Sequence, residues 1–367
     1  MVSLSLEHRL GQLLFVGITG TTIDDDTRKL LQTVQPGGII LFARNIESAE
    51  QVADLNMELR RVLKVAPLIS IDQEGGRVDR LKKICPPMPS VQKLRALDDA
   101  RCAHEHGSIT AELLRLLGFN MNFAPVVDIA VHEDADNALQ ERCFGTKTQK
   151  IIRLSSAYLE GLQNGSIIGC GKHFPGLGDS VVDSHKKLPV VERSEEKLKA
   201  QDLQIYQDLM VKLNSQLQVI MIAHAVYPAL DNSNPPIPAS LSAKIVTDLL
   251  RSKMEFQGLA ISDDMEMGAI SEAMGFSEAV LLAVNAGEDM MLICQSPEKI
   301  IEASEAMARA AREGKITNRR IETSLNRIAR IKSMAASPLA FEANHFKAIC
   351  DKISELSERI DSELRRI

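Results

Sequence analysis

The sequence predicts an α/β fold of the parallel (β/α)8 barrel type, with a C-terminal helical extension. Three observations carry that prediction. Short apolar runs recur eight times along the 367 residues, and most are continuous rather than alternating, as strands buried on both faces are. Amphipathic stretches of helical period separate them. Charged residues stand at the carboxyl ends of several runs, the end at which parallel barrels gather their chemistry.

The strands are expected at 13–18, 38–42, 68–72, 121–128, 169–174, 219–224, 259–263 and 290–294. The helices between them include 48–63, 98–117, 154–164, 240–253, 276–286 and 297–313. A doubly wound open sheet competes with the barrel. It ordinarily needs a glycine-rich phosphate loop after its first strand, and Gly17-Ile18-Thr19-Gly20 is too sparse for one. After residue 337, Phe341, Phe346, Ile349, Ile353, Leu356 and Ile360 recur at helical spacing. The chain is therefore divided into a barrel domain, 1–337, and a helical tail, 338–367, laid against it.

Composition narrows the functional class. A net charge of −6 with no basic stripe argues against nucleic acid. Tryptophan is absent and aromatic residues make up 4% of the chain, so sugar-stacking platforms must be few. The six cysteines are scattered without a CxxC pair and read as reduced thiols of a cytoplasmic protein. No Cys/His cluster has zinc-ligand spacing. The N-terminus carries Glu7, His8 and Arg9 where a signal peptide would be apolar. No run is long enough to span a membrane.

Four constellations carry candidate chemistry. In Lys172–Pro189, KHFPGLGDSVVDSHKKLP, a polar loop leaves a buried strand and holds Asp183 two residues before His185. A carboxylate so placed can fix an imidazole's tautomer and support its charged form, making an acid/base pair; the same triplet can equally serve as a loop-stabilising hydrogen bond. Asp263, at the end of the seventh run in ISDDM, can point into a barrel mouth as nucleophile or electrostatic stabiliser. Asp264 is expected to face away or to cap the next helix, or else to join Asp263 as a pair acting on one substrate. Asp72 with Gln73-Glu74-Gly75-Gly76-Arg77-Val78-Asp79-Arg80 places carboxylate and guanidinium at one mouth, a mixture suited to a polyol; a structural salt bridge is the alternative for Arg80. Lys172 and His173, with Arg142 from ERCFG, form a group of donors for hydroxyl and carbonyl oxygens. His224 and Asp128 read as structural polar residues. His104, His106, His132 and His345 have no identifiable partners in the sequence.

Taken in order, DQEGGRVxRL, RxFG, KHFPGxG with DSH, and SDDMxM resemble glycoside hydrolase family 3, in particular its cytoplasmic β-N-acetylglucosaminidases of peptidoglycan recycling. The likeness runs from Gly37-Gly38-Ile39-Ile40-Leu41-Phe42 to Gly287-Glu288-Asp289-Met290-Met291. The resemblance implies a retaining mechanism in one barrel, with no cofactor or metal. It makes Asp263 the nucleophile, His185 the acid/base and Asp183 its support. It assigns Asp72, Arg80, Arg142, Lys172 and His173 to the N-acetylglucosamine unit. The implied substrate is N-acetylglucosamine β-linked to 1,6-anhydro-N-acetylmuramic acid, handled by a monomer or weak homodimer. Gly176 and Gly178 would then be hinges for loop closure. Two departures stand out: Leu177 where the family often has histidine, and Cys143 where serine is common. A phosphorylase, a β-glucosidase and a non-catalytic muropeptide sensor are the rival readings.

Overall fold

All eight apolar runs become strands of one closed parallel barrel. The computed structural model describes residues 4–131, 138–180, 183–184, 187–211 and 217–366. The strands are β1 (Leu14–Gly17), β2 (Gly38–Leu41), β3 (Leu68–Ile71), β4 (Met121–Asn122), β5 (Ile168–Phe174), β6 (Val219–Ile222), β7 (Leu259–Asp264) and β8 (Met290–Ile293). Each pairs in parallel with its sequence neighbours, and β8 closes on β1. Residues from both faces of β1, β2 and β3 are fully buried, which is why these runs show no alternation. The rings of Phe15 and Phe123 fill the barrel, with centroids 5.1 Å apart. Gly38 makes room for them, since a Cβ there would lie 2.4 Å from the Phe15 ring.

The fourth run is shorter than expected. Regular strand pairing covers only Met121 and Asn122, but the run stays bonded to its neighbours through Phe123 N to Ile71 O (2.9 Å), Lys172 N to Pro125 O (3.2 Å) and Val127 N to Lys172 O (2.8 Å), although Pro125 itself has no N–H to donate. The Asn122 side chain compensates: its Oδ1 accepts from Gln73 N at 3.0 Å, and its Nδ2 donates to Gln73 O at 2.8 Å.

Helices cover the outside. Polar side chains cap several of them: Asp24, Ser48, Ser90 and Thr317 each accept from a backbone N–H of the first turn. At the amino ends of the strands, Asp289 is fully buried and receives Arg251 (2.6 Å), Arg327 (3.1 Å) and Ser324 (2.8 Å), tying helix Asn318–Met334 to the barrel floor. The last helix, Ala343–Leu364, buries Ile349, Ile353, Leu356 and Ile360 on one stripe against helices Val91–Leu97 and Ala100–Leu116. Glu112 anchors its first turns through His345 (2.9 Å) and Lys352 (2.7 Å). Among the described residues, no helix is long and apolar enough to cross a membrane.

Candidate active site

The carboxyl ends of the strands surround a cavity of about 320 Å3. Asp72, Arg80, Arg142, Lys172, His173, Asp183 and Asp263 all line it, from the ends of four strands and the connections that follow them. His185 lies outside the described residues.

β3 delivers Asp72, and a small hairpin follows, Gln73–Gly75 pairing with Val78–Asp79. Its turn needs Gly75 at φ 94° and Gly76 at φ 60°. Asp79 locks the hairpin by accepting from Gln73 Nε2 (2.8 Å), Leu81 N (3.1 Å) and Met88 N (2.8 Å), while Gln73 Oε1 accepts from Arg80 N (3.0 Å). The Arg80 guanidinium is thereby held 3.6 Å from Asp72 Oδ2 and 5.8 Å from the Phe42 ring centroid. Its buried Nε has no hydrogen-bond acceptor among the described residues.

β5 delivers Lys172 and His173. The Lys172 ammonium donates to Asp72 Oδ1 (2.7 Å) and meets Glu74 Oε1 (2.8 Å). Glu74 in turn takes a bidentate bond from Arg142, 2.8 Å on each oxygen. The result is an alternating chain of charge, Asp72–Lys172–Glu74–Arg142. Burial alone would raise the Glu74 carboxyl, but Arg142 and Lys172 outweigh it and hold it well below the usual range. Burial likewise works against the Lys172 ammonium, and Asp72 and Glu74 outweigh it, so its pKa rises. Glu74 did not emerge as a site residue from the sequence. It sits inside the DQEGGR motif, but its importance comes from partners 68 and 98 positions away, which no local spacing reveals.

Asp128 is the second residue the sequence undervalued. It accepts from His173 Nδ1 (2.8 Å), His173 N (3.1 Å) and Leu177 N (2.7 Å). The carboxylate fixes the imidazole with Nδ1–H toward itself and leaves Nε2 for the cavity.

Asp263 and Asp264 both line the cavity, correcting the expectation that Asp264 faces away or caps a helix. The N-cap position of helix Gly268–Ala273 is Met267, with no side-chain bond. The physical reason is a bulge. Ile261 pairs with Met290 and Asp264 with Leu292, so three steps on β7 oppose two on β8 and the side-chain alternation breaks. Asp264 accepts from Glu266 N (3.1 Å) and Cys294 N (3.3 Å), and burial, with Glu266 and Asp263 adding to it, lifts its carboxyl to about 7. His224 supports the same strand end: Ser240 Oγ lies 2.7 Å from Nδ1, and the Asp264 carbonyl accepts from Nε2 at 3.1 Å. Burial lowers its pKa, and both ring nitrogens are held by neighbours within the fold.

Asp183 and Ser184, on the segment after β5, stand at the mouth. Ala269 N donates to Ser184 O at 3.3 Å, which docks the segment against the connection after β7 and brings Asp183 to the cavity. Gly176 and Gly178, expected as hinges, stand where only glycine fits. A Cβ at Gly176 would lie 2.6 Å from Asp202 Oδ1, and one at Gly178 would lie 1.8 Å from Ile129 O. Leu177, the residue that departs from the family pattern, turns into the core at 4% exposure. All six cysteines are unpaired, and no cluster of potential metal ligands exists among the described residues.

Donors held in register around carboxylates, at the carboxyl end of a closed parallel barrel, place the chain in the class of barrel enzymes that work on hydroxyl-rich molecules. The comparison with known proteins is more specific: residues 5–331 match the glycosyl hydrolase family 3 N-terminal domain, and the chain belongs to that family. A beta-hexosaminidase of Idiomarina loihiensis is 34% identical over 297 residues, covering 80% of this chain and 87% of its own. One from Haemophilus influenzae is 33% identical over 322 residues, covering 84% and 89%. Among solved structures, a family 3 beta-N-acetylglucosaminidase from Paenibacillus aligns with TM-score 0.88 at 34% identity, covering 97% of this chain and 69% of the other. NagZ from Neisseria gonorrhoeae, solved with N-trifluoroacetyl-D-glucosamine, aligns with TM-score 0.79 at 28% identity, covering 94% and 97%.

Proposed function

We propose that this protein is a retaining β-N-acetylglucosaminidase that releases N-acetylglucosamine from 1,6-anhydro-N-acetylmuramic acid muropeptides during peptidoglycan recycling. The observation that carries the reading is the convergence of Asp263 and Asp183 on one cavity with the Asp72–Lys172–Glu74–Arg142 chain. The related beta-hexosaminidases and the NagZ structure with a glucosamine derivative support the sugar specificity.

In this reading Asp263 attacks the anomeric carbon while His185, as imidazolium, gives its proton to the departing oxygen. A covalent glycosyl-aspartate forms and the glycosidic bond breaks. The now neutral His185 takes a proton from water, whose oxygen attacks the same carbon and frees Asp263. Asp183 orients the imidazole. An imidazole suits this place because it titrates near neutrality and adds no second negative charge beside Asp263. Asp72 accepts from sugar hydroxyls. Arg80, Lys172, Arg142 and His173 supply donors, and because they are prepaid into ion pairs and hydrogen bonds they need little reordering when substrate arrives. The unpaired cysteines fit a reducing cytoplasmic setting. We also read the tail at 338–367 as a helical extension packed on the catalytic barrel.

The test is to inactivate the enzyme with a 2-acetamido-5-fluoro glycosyl fluoride and locate the label by peptide mass spectrometry. The label is expected on Asp263. A label on another residue, or turnover that survives Asp263→Ala, overturns the assignment.

A further inference from the structure

The segment that carries Asp183 leaves β5 at Gly176 and rejoins the fold at Arg193, and both ends meet one buried carboxylate, Asp202. At the first end, Gly176 takes φ 137° and lies so close that a Cβ would stand 2.6 Å from Asp202 Oδ1. The Tyr227 hydroxyl fixes the same residue by donating to Gly176 O at 3.0 Å. At the second end, Arg193 Nε stands 3.1 Å from Asp202 Oδ2. Arg193 is 8% exposed and Asp202 2%. The two atoms make no hydrogen bond, so charge attraction holds them. Arg193 also donates to Gln201 Oε1. Just before it, Val191 N donates to Val226 O (2.9 Å) and Val226 N to Pro189 O (2.9 Å), which tacks the returning strand to the connection after β6.

Asp202 itself closes a π-helical turn, Leu198–Asp202. Such turns cost regular hydrogen bonding and collect at functional places. A buried ion pair is no cheap source of stability, since apolar residues of the same volume commonly do as well. What this pair does contribute is geometry: Asp202 holds Arg193 and packs against Gly176, and these two positions, 17 residues apart, bracket Asp183 and the DSH motif. The charged groups facing Asp202 are Arg193, Asp128 and Asp179. Burial lifts its carboxyl to about 7 against the pull of Arg193, with Asp128 and Asp179 adding to the rise. Asp128 is also the residue that pins His173, so the same neighbourhood orders the floor of the cavity and the base of the segment above it.

We propose that Arg193 and Asp202 are a positioning pair that clips the two ends of the 176–193 segment together and so sets the reach of its acid/base group toward the departing oxygen. The proposal rests on the acid/base reading given above. It adds no bond-making step. It states which residues decide whether the proton donor arrives in register.

The experiment compares phenyl and 2,4-dinitrophenyl N-acetyl-β-glucosaminides, which need strong and little protonation of the leaving group respectively. Arg193→Met, Asp202→Asn and the charge-balanced double variant are assayed beside His185→Ala. A misplaced proton donor is expected to cost up to about 100-fold in kcat/KM on the phenyl substrate, and less than about threefold on the dinitrophenyl substrate, whose leaving group departs unaided. Arg193→Lys is expected to restore most of the loss. Gln201→Ala, an exposed change that removes only the hydrogen bond to Arg193, keeps the test alive where a buried variant fails to fold; it predicts a smaller loss confined to the phenyl substrate. Equal losses on both substrates, or no loss in folded variants, overturn the clip. If His185→Ala also lacks leaving-group dependence, the acid/base reading is what fails. If His185→Ala shows it and the clip variants do not, the clip alone fails.

Discussion

Replacing Glu74 with glutamine removes one charge from the chain Asp72–Lys172–Glu74–Arg142 and changes almost nothing in shape. The carboxylate is buried, with 2% of its side chain exposed, and meets Arg142 twice and Lys172 once, all at 2.8 Å. Glutamine keeps one oxygen but presents an amide N–H₂ to donors that cannot accept. Two buried cations are then left with one fewer anion, and Arg142 loses its bidentate bond while keeping its 2.9 Å bond to Ala138 O. Breaking a buried pair from one side costs about 3–5 kcal/mol. The retained oxygen argues for the lower figure, about 3 kcal/mol, or roughly 4 °C in melting temperature for a chain of this size. Glu74 titrates below its ordinary value of 4.5 in the folded state, so it contributes fully above that pH and progressively less as the pH falls below it. The melting gap between wild type and Glu74→Gln is therefore widest near neutrality and narrows on acidification below about 4.5. Calorimetry across pH, with KM measured alongside, checks both halves; KM is expected to rise because Lys172 and Arg142 lose their fixed positions. A variant that melts within about 1 °C of wild type at pH 7, with unchanged KM, would refute the claim that Glu74 organises the donors.

Three further outcomes follow from the same geometry. Asp128→Asn weakens the hold on His173 Nδ1 and on Leu177 N; kcat/KM should fall about tenfold or more, the worth of one charge-assisted hydrogen bond, and steady-state kinetics showing no change would count against it. Leu177→His restores the residue common in the family but buries an imidazole in a site now 4% exposed and apolar; a loss of about 1–3 kcal/mol in denaturant unfolding is expected, and added stability would contradict the packing argument. Lys332 has Gln12 Oε1 as its acceptor at 2.8 Å, and burial lowers its pKa from 10.5 to about 7. The unfolded chain then holds more protons between those two values, so Lys332 costs stability increasingly as pH falls through that window. Lys332→Met should melt higher than wild type at pH 7, with the gain fading toward pH 10.5; a gain independent of pH would point to packing instead.

Much of the fold was legible because barrel strands bury both faces. The runs at 38–42, 68–72 and 290–294 are each within a residue of their strands, since continuous burial leaves no alternation to misread. Asp72, Lys172, His173 and Asp263 were readable as site candidates for a related reason: a charge at the end of an apolar strand has few places to go except the barrel mouth. The run at 121–128 was harder, because its apolar residues continue past Asn122, where regular strand pairing ends.

The order of strands, the end of the barrel that holds the charges and the family were settled by the sequence, because each depends on local pattern and chain order. The tertiary structure alone decided the rest. Glu74 became a partner of Arg142 and Lys172, Asp264 turned inward through a bulge, and Leu177 went to the core. It also brought Gly176 and Arg193 together on Asp202. These are contacts between positions far apart along the chain, whose energies arise only when burial removes water from between them.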